Sequence, residues 1–223
     1  GDEVFGVGHN ALGVWWWLAE TGQLGERTSF VQQLGDELLP VSIGRENGRV
    51  TVSLSQAMPR RIGDVGDLQA LAEALGLDKT EPALGPQEAV VVSTGAAHML
   101  VRLVSRDEVD RAEPDASMLL PLLEHAGAQG CYVFTTSGEQ RGEAYARFFN
   151  PTVGIREDPA TGSAAGPLGW LLANRSGAGG QETFTVVQGV SMGRESHIRL
   201  LVRPDAVELT GSAVLTATGQ LHL

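Results

Sequence analysis

The 223 residues contain one cysteine and one lysine, and each scarcity closes off a chemistry. Cys131 alone excludes an internal disulfide and suits a reducing, cytoplasmic setting. Lys79, in a polar stretch, is the only candidate for a pyridoxal phosphate Schiff base and is poorly placed for one. Basic residues are few: 16 Lys and Arg against 27 Asp and Glu give a net charge of −11. That balance argues against nucleic acid and anionic membrane surfaces as partners. No signal peptide opens the chain, and no apolar run reaches the ~20 residues of a membrane span. His9, His98, His125, His197 and His222 lack the spacing of a metal site, so no metal is expected. Neither glycine-rich loop has the lysine of a P-loop. Gly6-x-Gly8 near Gly13 has the wrong last spacing for a dinucleotide fingerprint. Gly162-Ser163-Ala164-Ala165-Gly166 puts its serine one place early for a nucleophile elbow. No cofactor is expected.

Aromatic residues make up only 5%, yet four of them are tryptophan. Trp170 lies in the stretch around which the chain is organised, Arg156–Ala173. Arg156, Glu157 and Asp158 bring charge. Pro159 and the turn Thr161-Gly162-Ser163 follow, then an uncharged run to Ala173. This is a helix-start signal. A helix apolar on every side must be buried on every side. Its first N–H groups, opened by Gly and Ser, form an anion site.

Gly8 through Ala19 aligns without gaps on Gly162 through Ala173. Gly8 meets Gly162, Ala11 meets Ala165, and Trp16 meets Trp170. Trp15, Trp16 and Trp17 lie ~100° apart on a helix and cover most of its circumference, which predicts a second buried helix. The reading is two pseudo-equivalent halves whose helix starts converge on one cleft suited to a carboxylate.

Short strands fill the rest. Leu38–Ile43 and Arg49–Ser55 flank Asn47-Gly48, a hairpin signal. Pro59–Gly66 lacks periodicity and reads as a linker. Asp67–Leu75 and Asp115–His125 read as helices. Strands are predicted at Glu3–Val7, Ala89–Ser93, His98–Val104, Gly130–Thr135, Thr183–Gln188, His197–Arg203, Ala206–Thr210 and Ala213–Thr216. Lys79–Gln87 reads as a loop. The class is α+β. By elimination, the chemistry left is cofactor-free proton transfer, with Glu157 and Asp158 before one helix start and His9 at the other.

Glu157-Asp158-Pro159-Ala160-Thr161-Gly162-Ser163-Ala164-Ala165-Gly166 resembles the signature of the phenazine-biosynthesis PhzF-like isomerase family. Gly8-His9, Ser93-Thr94-Gly95-Ala96-Ala97-His98, Arg147-Phe148-Phe149 and Gln188-Gly189 with Met192-Gly193-Arg194 are similar to its other motifs. The resemblance implies two pseudo-symmetric diaminopimelate epimerase-like barrels, each of mostly antiparallel strands around a central helix. It divides the chain into 1–62 plus 213–223 and 63–212, with the last strand returning to the first half. It implies a cofactor-independent isomerase shifting a proton on a small carboxylated metabolite, such as trans-2,3-dihydro-3-hydroxyanthranilate. His9, Asp158 and Ser163 would be catalytic. Gly8, Asn10, Gly162 and Ser163 would bind substrate. A homodimer is implied. The two helix starts carry no cysteines, so a two-thiol racemase is excluded. The family's acid/base glutamate precedes the Gly-His motif; Glu3 does not match it, and the Gly1 start suggests that preceding sequence has been left out. Two rivals stand beside this reading: a non-catalytic anion-binding homologue and a thiol-free epimerase. His98 and Arg194 read as structural or cleft-edge.

Overall fold

A computed structural model describes residues 8–77, 89–177 and 179–220. The predicted strand Glu3–Val7 and loop Lys79–Gln87 fall outside these residues. The chain begins with α1 (Gly8–Glu20) and the strands β1 (Ser29–Leu34), β2 (Glu37–Glu46), β3 (Arg49–Gln56) and β4 (Arg60–Asp64). Next come α2 (Leu68–Ala74), β5 (Ala89–Ser93), β6 (Ala97–Arg102), α3 (Arg106–Arg111), α4 (Ala116–Ala126), β7 (Cys131–Thr135) and β8 (Glu143–Asn150). The last elements are β9 (Ile155–Asp158), α5 (Gly162–Ser176), β10 (Glu182–Gln188), β11 (Ser196–Arg203) and β12 (Ala206–Gly211).

Eleven of the strands run β1-β2-β3-β12-β11-β10-β8-β7-β6-β5-β4, and β9 pairs β8 off this path. Among the described residues only β10 with β8 and β6 with β7 pair in parallel. The hairpin between β2 and β3 turns at Asn47 and Gly48, both at positive φ (51° and 80°), as its sequence demands. The seam of the molecule is β12 on β3, from Val207 opposite Gln56 to Gly211 opposite Val52.

The sheet curls around α5. Ala164, Ala165 and Leu168 are fully buried. They share a core with Val92, Leu100, Phe134, Ala146, Val186 and Val207, drawn from strands on both sides of the helix. Gly162, Gly166 and Gly169 recur at the spacing of one helical face. A Cβ at Gly162 would lie 2.7 Å from Leu209, and one at Gly169 2.8 Å from Leu200. One at Gly166 would overlap the Gln56 amide. The stripe has no side chains because the strands occupy that space.

Three expectations need correction. The helix α1 is covered on one face only: Trp16 is buried against Val41, Val50, Val52 and Leu54, whereas Trp17 and Val14 are 44% and 58% exposed. Trp15 is held by Phe30, 5.0 Å away, and donates to Gln32 at 3.0 Å. Indoles tolerate this partial cover because their bulk and polar edge suit a half-wet surface. The supposed linker contains β4, paired with β5; a register shift between Arg61 and Gly63 breaks the alternation that would have revealed it. Ala213–Thr216 forms no strand, and Val214 and Leu215 stay exposed.

No described helix is long and apolar enough to cross a membrane. The glycine stripe gives a direct test of packing. Gly166→Ala should destabilise the fold by about 1–3 kcal/mol in urea unfolding, because the Gln56 amide must move. A stability equal to wild type would contradict this packing.

Candidate active site

The loop entering α5 is held from below by one side chain. Gln188, fully buried at the end of β10, uses all four of its hydrogen-bonding positions. Its Oε1 accepts from the Tyr132 hydroxyl at 2.8 Å and the Thr161 N–H at 3.1 Å. Its Nε2 donates to the Asp158 carbonyl at 2.6 Å and the Thr161 hydroxyl at 3.0 Å. Burial, and then the Asp158 charge, push the Tyr132 phenol well above its ordinary pKa, so it stays a donor. The next residue, Gly189 (φ 80°), packs against Pro159 so tightly that no Cβ fits.

Asp158 and Glu157 are committed within this frame. The Asp158 carboxylate accepts from the Thr161 hydroxyl at 2.5 Å. Glu157 takes a two-pronged contact from Arg147, with Nε and Nη2 both at 2.9 Å, plus the Ser191 hydroxyl at 2.8 Å. Desolvation raises the Glu157 pKa, but the bonds from Arg147 and Ser191 and the Arg147 and Arg156 charges outweigh it and leave a net lowering. Arg147 Nη1 also ties down the carbonyls of Val109, Asp110 and Ala112. Glu157 is therefore a structural anchor.

Thr161 is the N-cap residue of α5, but its hydroxyl is spent on Asp158 and makes no capping bond. Gly162 and Ser163, the first two helical residues, have no acceptor within the helix. Both line a cavity of about 310 Å³, and Gly8 at the start of α1 lines it too. The two helix starts therefore meet at one pocket. Gln32, Gln33, Ser55, Gln56 and Thr94 complete its polar wall, and among the described residues Glu37 is the only ionisable side chain lining it. Gln56 donates to the Gly162 carbonyl at 2.9 Å. His9 and Asn10 are exposed on the first turn of α1 and do not line the cavity; nor does Asp158, one step behind Thr161.

His98 is the residue that sequence reasoning undervalued. It sits on β6, 3% exposed, with Nε2 at 3.1 Å from the Ser163 hydroxyl. Its ring meets Phe148 edge-on at 5.2 Å. Burial lowers its pKa to about 4, against an opposing, smaller influence from the backbone of Gln129. Its Nδ1 has no aligned hydrogen-bond partner among the described residues. The available signal was the Ser93–His98 motif, whose turn returns His98 to the buried sheet.

Two measurements follow. Between about pH 6.5 and 4 the unfolded chain protonates His98 while the folded chain does not. Stability present above pH 6.5 is therefore lost as the pH falls through that window, by up to about 3 kcal/mol. His98→Phe cannot protonate and should flatten this part of the stability curve in denaturant titrations; an unchanged curve would contradict it. Gln188→Leu strands the Tyr132 hydroxyl and the Thr161 N–H. It should cost about 2–4 kcal/mol by urea unfolding, whereas a loss below about 0.5 kcal/mol would show the clamp to be dispensable.

Comparison with known proteins places this geometry. An uncharacterised isomerase from Clostridium acetobutylicum is 29% identical over 210 residues, covering 89% of this chain and 69% of its own. A trans-2,3-dihydro-3-hydroxyanthranilate isomerase from Pseudomonas aeruginosa is 31% identical over 191 residues, covering 83% of this chain and 64% of its own. The crystal structure of a Bacillus anthracis phenazine biosynthesis protein of the PhzF family superposes with a TM-score of 0.82 at 24% identity, over 95% of this chain and 74% of that one. The fold is the diaminopimelate epimerase-like one that the sequence led us to expect. The family profile for phenazine biosynthesis-like proteins (PhzC-PhzF) matches residues 1–219, and the chain belongs to that family.

Proposed function

We propose that the cavity between the starts of α1 and α5 carries out a cofactor-independent proton shift on a small, cyclic, carboxylated metabolite. One observation carries the reading: Gly8 and Gly162-Ser163 line the same pocket. Two helix N-termini aimed at one place favour an anionic group there. Among the described residues no arginine or lysine lines the pocket, so its donors are backbone N–H groups, the hydroxyls of Ser55, Thr94 and Ser163, and glutamine side-chain amides. Its volume suits a single-ring metabolite. The activity named for the Pseudomonas aeruginosa relative supplies a substrate to try.

In this reading the carboxylate of the substrate rests on the helix starts, and Ser163 donates to it. Asp158 takes part through Thr161, whose hydroxyl it holds, and His9 stands outside the cavity on the first turn of α1. A second reading has an observation of its own: His9 and Asp158 stand off the cavity, and among the described residues Glu37 is the only ionisable side chain lining it. That pattern favours a protein that binds an anion without turning it over.

Incubation with trans-2,3-dihydro-3-hydroxyanthranilate in D₂O, followed by NMR, separates the two. Isomerisation with deuterium uptake is expected, and Asp158→Ala should lower turnover by about 10²-fold or more. Saturable binding without turnover would establish the binding reading instead. Turnover of Asp158→Ala within a few-fold of wild type would remove Asp158 from the mechanism. Deuterium entering an α-carbon with inversion would mark a thiol-free epimerase.

A further inference from the structure

We infer that His98 is a positioning residue that donates from Nε2 to the Ser163 oxygen and so turns the Ser163 proton toward the anion-binding end of the cavity. The inference deepens the reading above, because the direction of that proton matters only when an anionic group rests on the helix starts.

Ser163 is the second residue of α5, and its hydroxyl can rotate. What fixes it arrives from a distant strand: His98 on β6, 65 residues earlier, with Nε2 at 3.1 Å from the Ser163 oxygen. The ring cannot swing away. It is 3% exposed and set edge-on against Phe148. Burial keeps it neutral at physiological pH, so one ring nitrogen carries hydrogen and the other a lone pair.

The two tautomers act oppositely on Ser163. With hydrogen on Nε2, His98 donates, and the serine must direct its own proton elsewhere. Ser163 lines the cavity, so a bound acceptor there can take it. With hydrogen on Nδ1, His98 accepts the serine proton, and the cavity meets only oxygen lone pairs. Those would repel a carboxylate.

The surroundings of Nδ1 decide between them. Nδ1 is buried and has no aligned partner among the described residues. A proton placed there would be an orphaned buried N–H, the rarer and costlier kind of orphan. The Gln129 backbone is the competing influence: it raises the His98 pKa and so favours hydrogen on Nδ1, but its geometry falls short of a completed hydrogen bond. The Nε2–H form also agrees with the rest of the pocket, where the helix starts offer donors.

The test reads the tautomer directly. Imidazole ¹⁵N–¹H correlation spectra of the whole protein at pH 7 should show His98 neutral with hydrogen on Nε2. Hydrogen on Nδ1, or a protonated ring, would overturn the assignment. Binding of 3-hydroxyanthranilate, a stable carboxylated ring, supplies a second readout by calorimetry. His98→Phe should weaken it about tenfold, while His98→Gln, which can still donate at the same place, should stay within about threefold. Equal weakening by both variants, or by neither, would also overturn it. Failure of the unaltered protein to bind 3-hydroxyanthranilate would count against the substrate class proposed above and leave the spectrum to decide the tautomer.

Discussion

The closeness of α5 to the strands around it governs everything at the cavity. A helix with ordinary side chains on the Gly162, Gly166 and Gly169 face would stand several ångströms further from β3, β11 and β12. Gln56 would then fall short of the Gly162 carbonyl, and Leu209 would no longer close the space beneath the first turn. The same economy of volume recurs at Gly211 of β12, where a Cβ would run into Leu12 of α1. One strand thus accommodates both helices, and that shared contact brings their starts to a common pocket. Interiors this tightly packed tolerate little change of volume.

The polar groups follow from that packing. Pressing a helix start into a sheet removes water from the loop that leads into it. The polar atoms of Asp158–Thr161 then need partners from the protein, and Gln188 supplies them for the Asp158 carbonyl and for the N–H and hydroxyl of Thr161. Arg147 does the same for the backbone around Val109–Ala112 and for Glu157. With the acidic residues engaged by this frame, the pocket is left almost uncharged. An uncharged, partly enclosed site strengthens the field of the helix ends, which bulk water would otherwise screen.

Much of this was legible in the sequence, for identifiable reasons. The alignment of Gly8–Ala19 with Gly162–Ala173 placed two helix starts together, because small residues at a helix entrance and apolar residues behind it are a local pattern. Asn47-Gly48 marked its hairpin through the backbone conformation it alone favours. The failures are equally physical. The bulge at Arg61–Gly63 hid β4 by breaking the two-residue period. The three tryptophans promised burial all round, but a side chain's size does not say which neighbours reach it, and Trp17 faces water. His98 and Gln188 were undervalued because their roles depend on partners 65 and 27 to 56 residues away, a relation no local spacing records. Glu157 looked like a candidate acid because its pairing with Arg147 exists only once β8 and β9 lie side by side.

The central claim is that the starts of α1 and α5 together hold one anionic group. Backbone amide NMR during titration with 3-hydroxyanthranilate tests it most directly. The account predicts that the amide signals of Gly8, Gly162 and Ser163 shift together and saturate at one ligand concentration. Shifts confined to a single helix start, or to residues away from both, would contradict it.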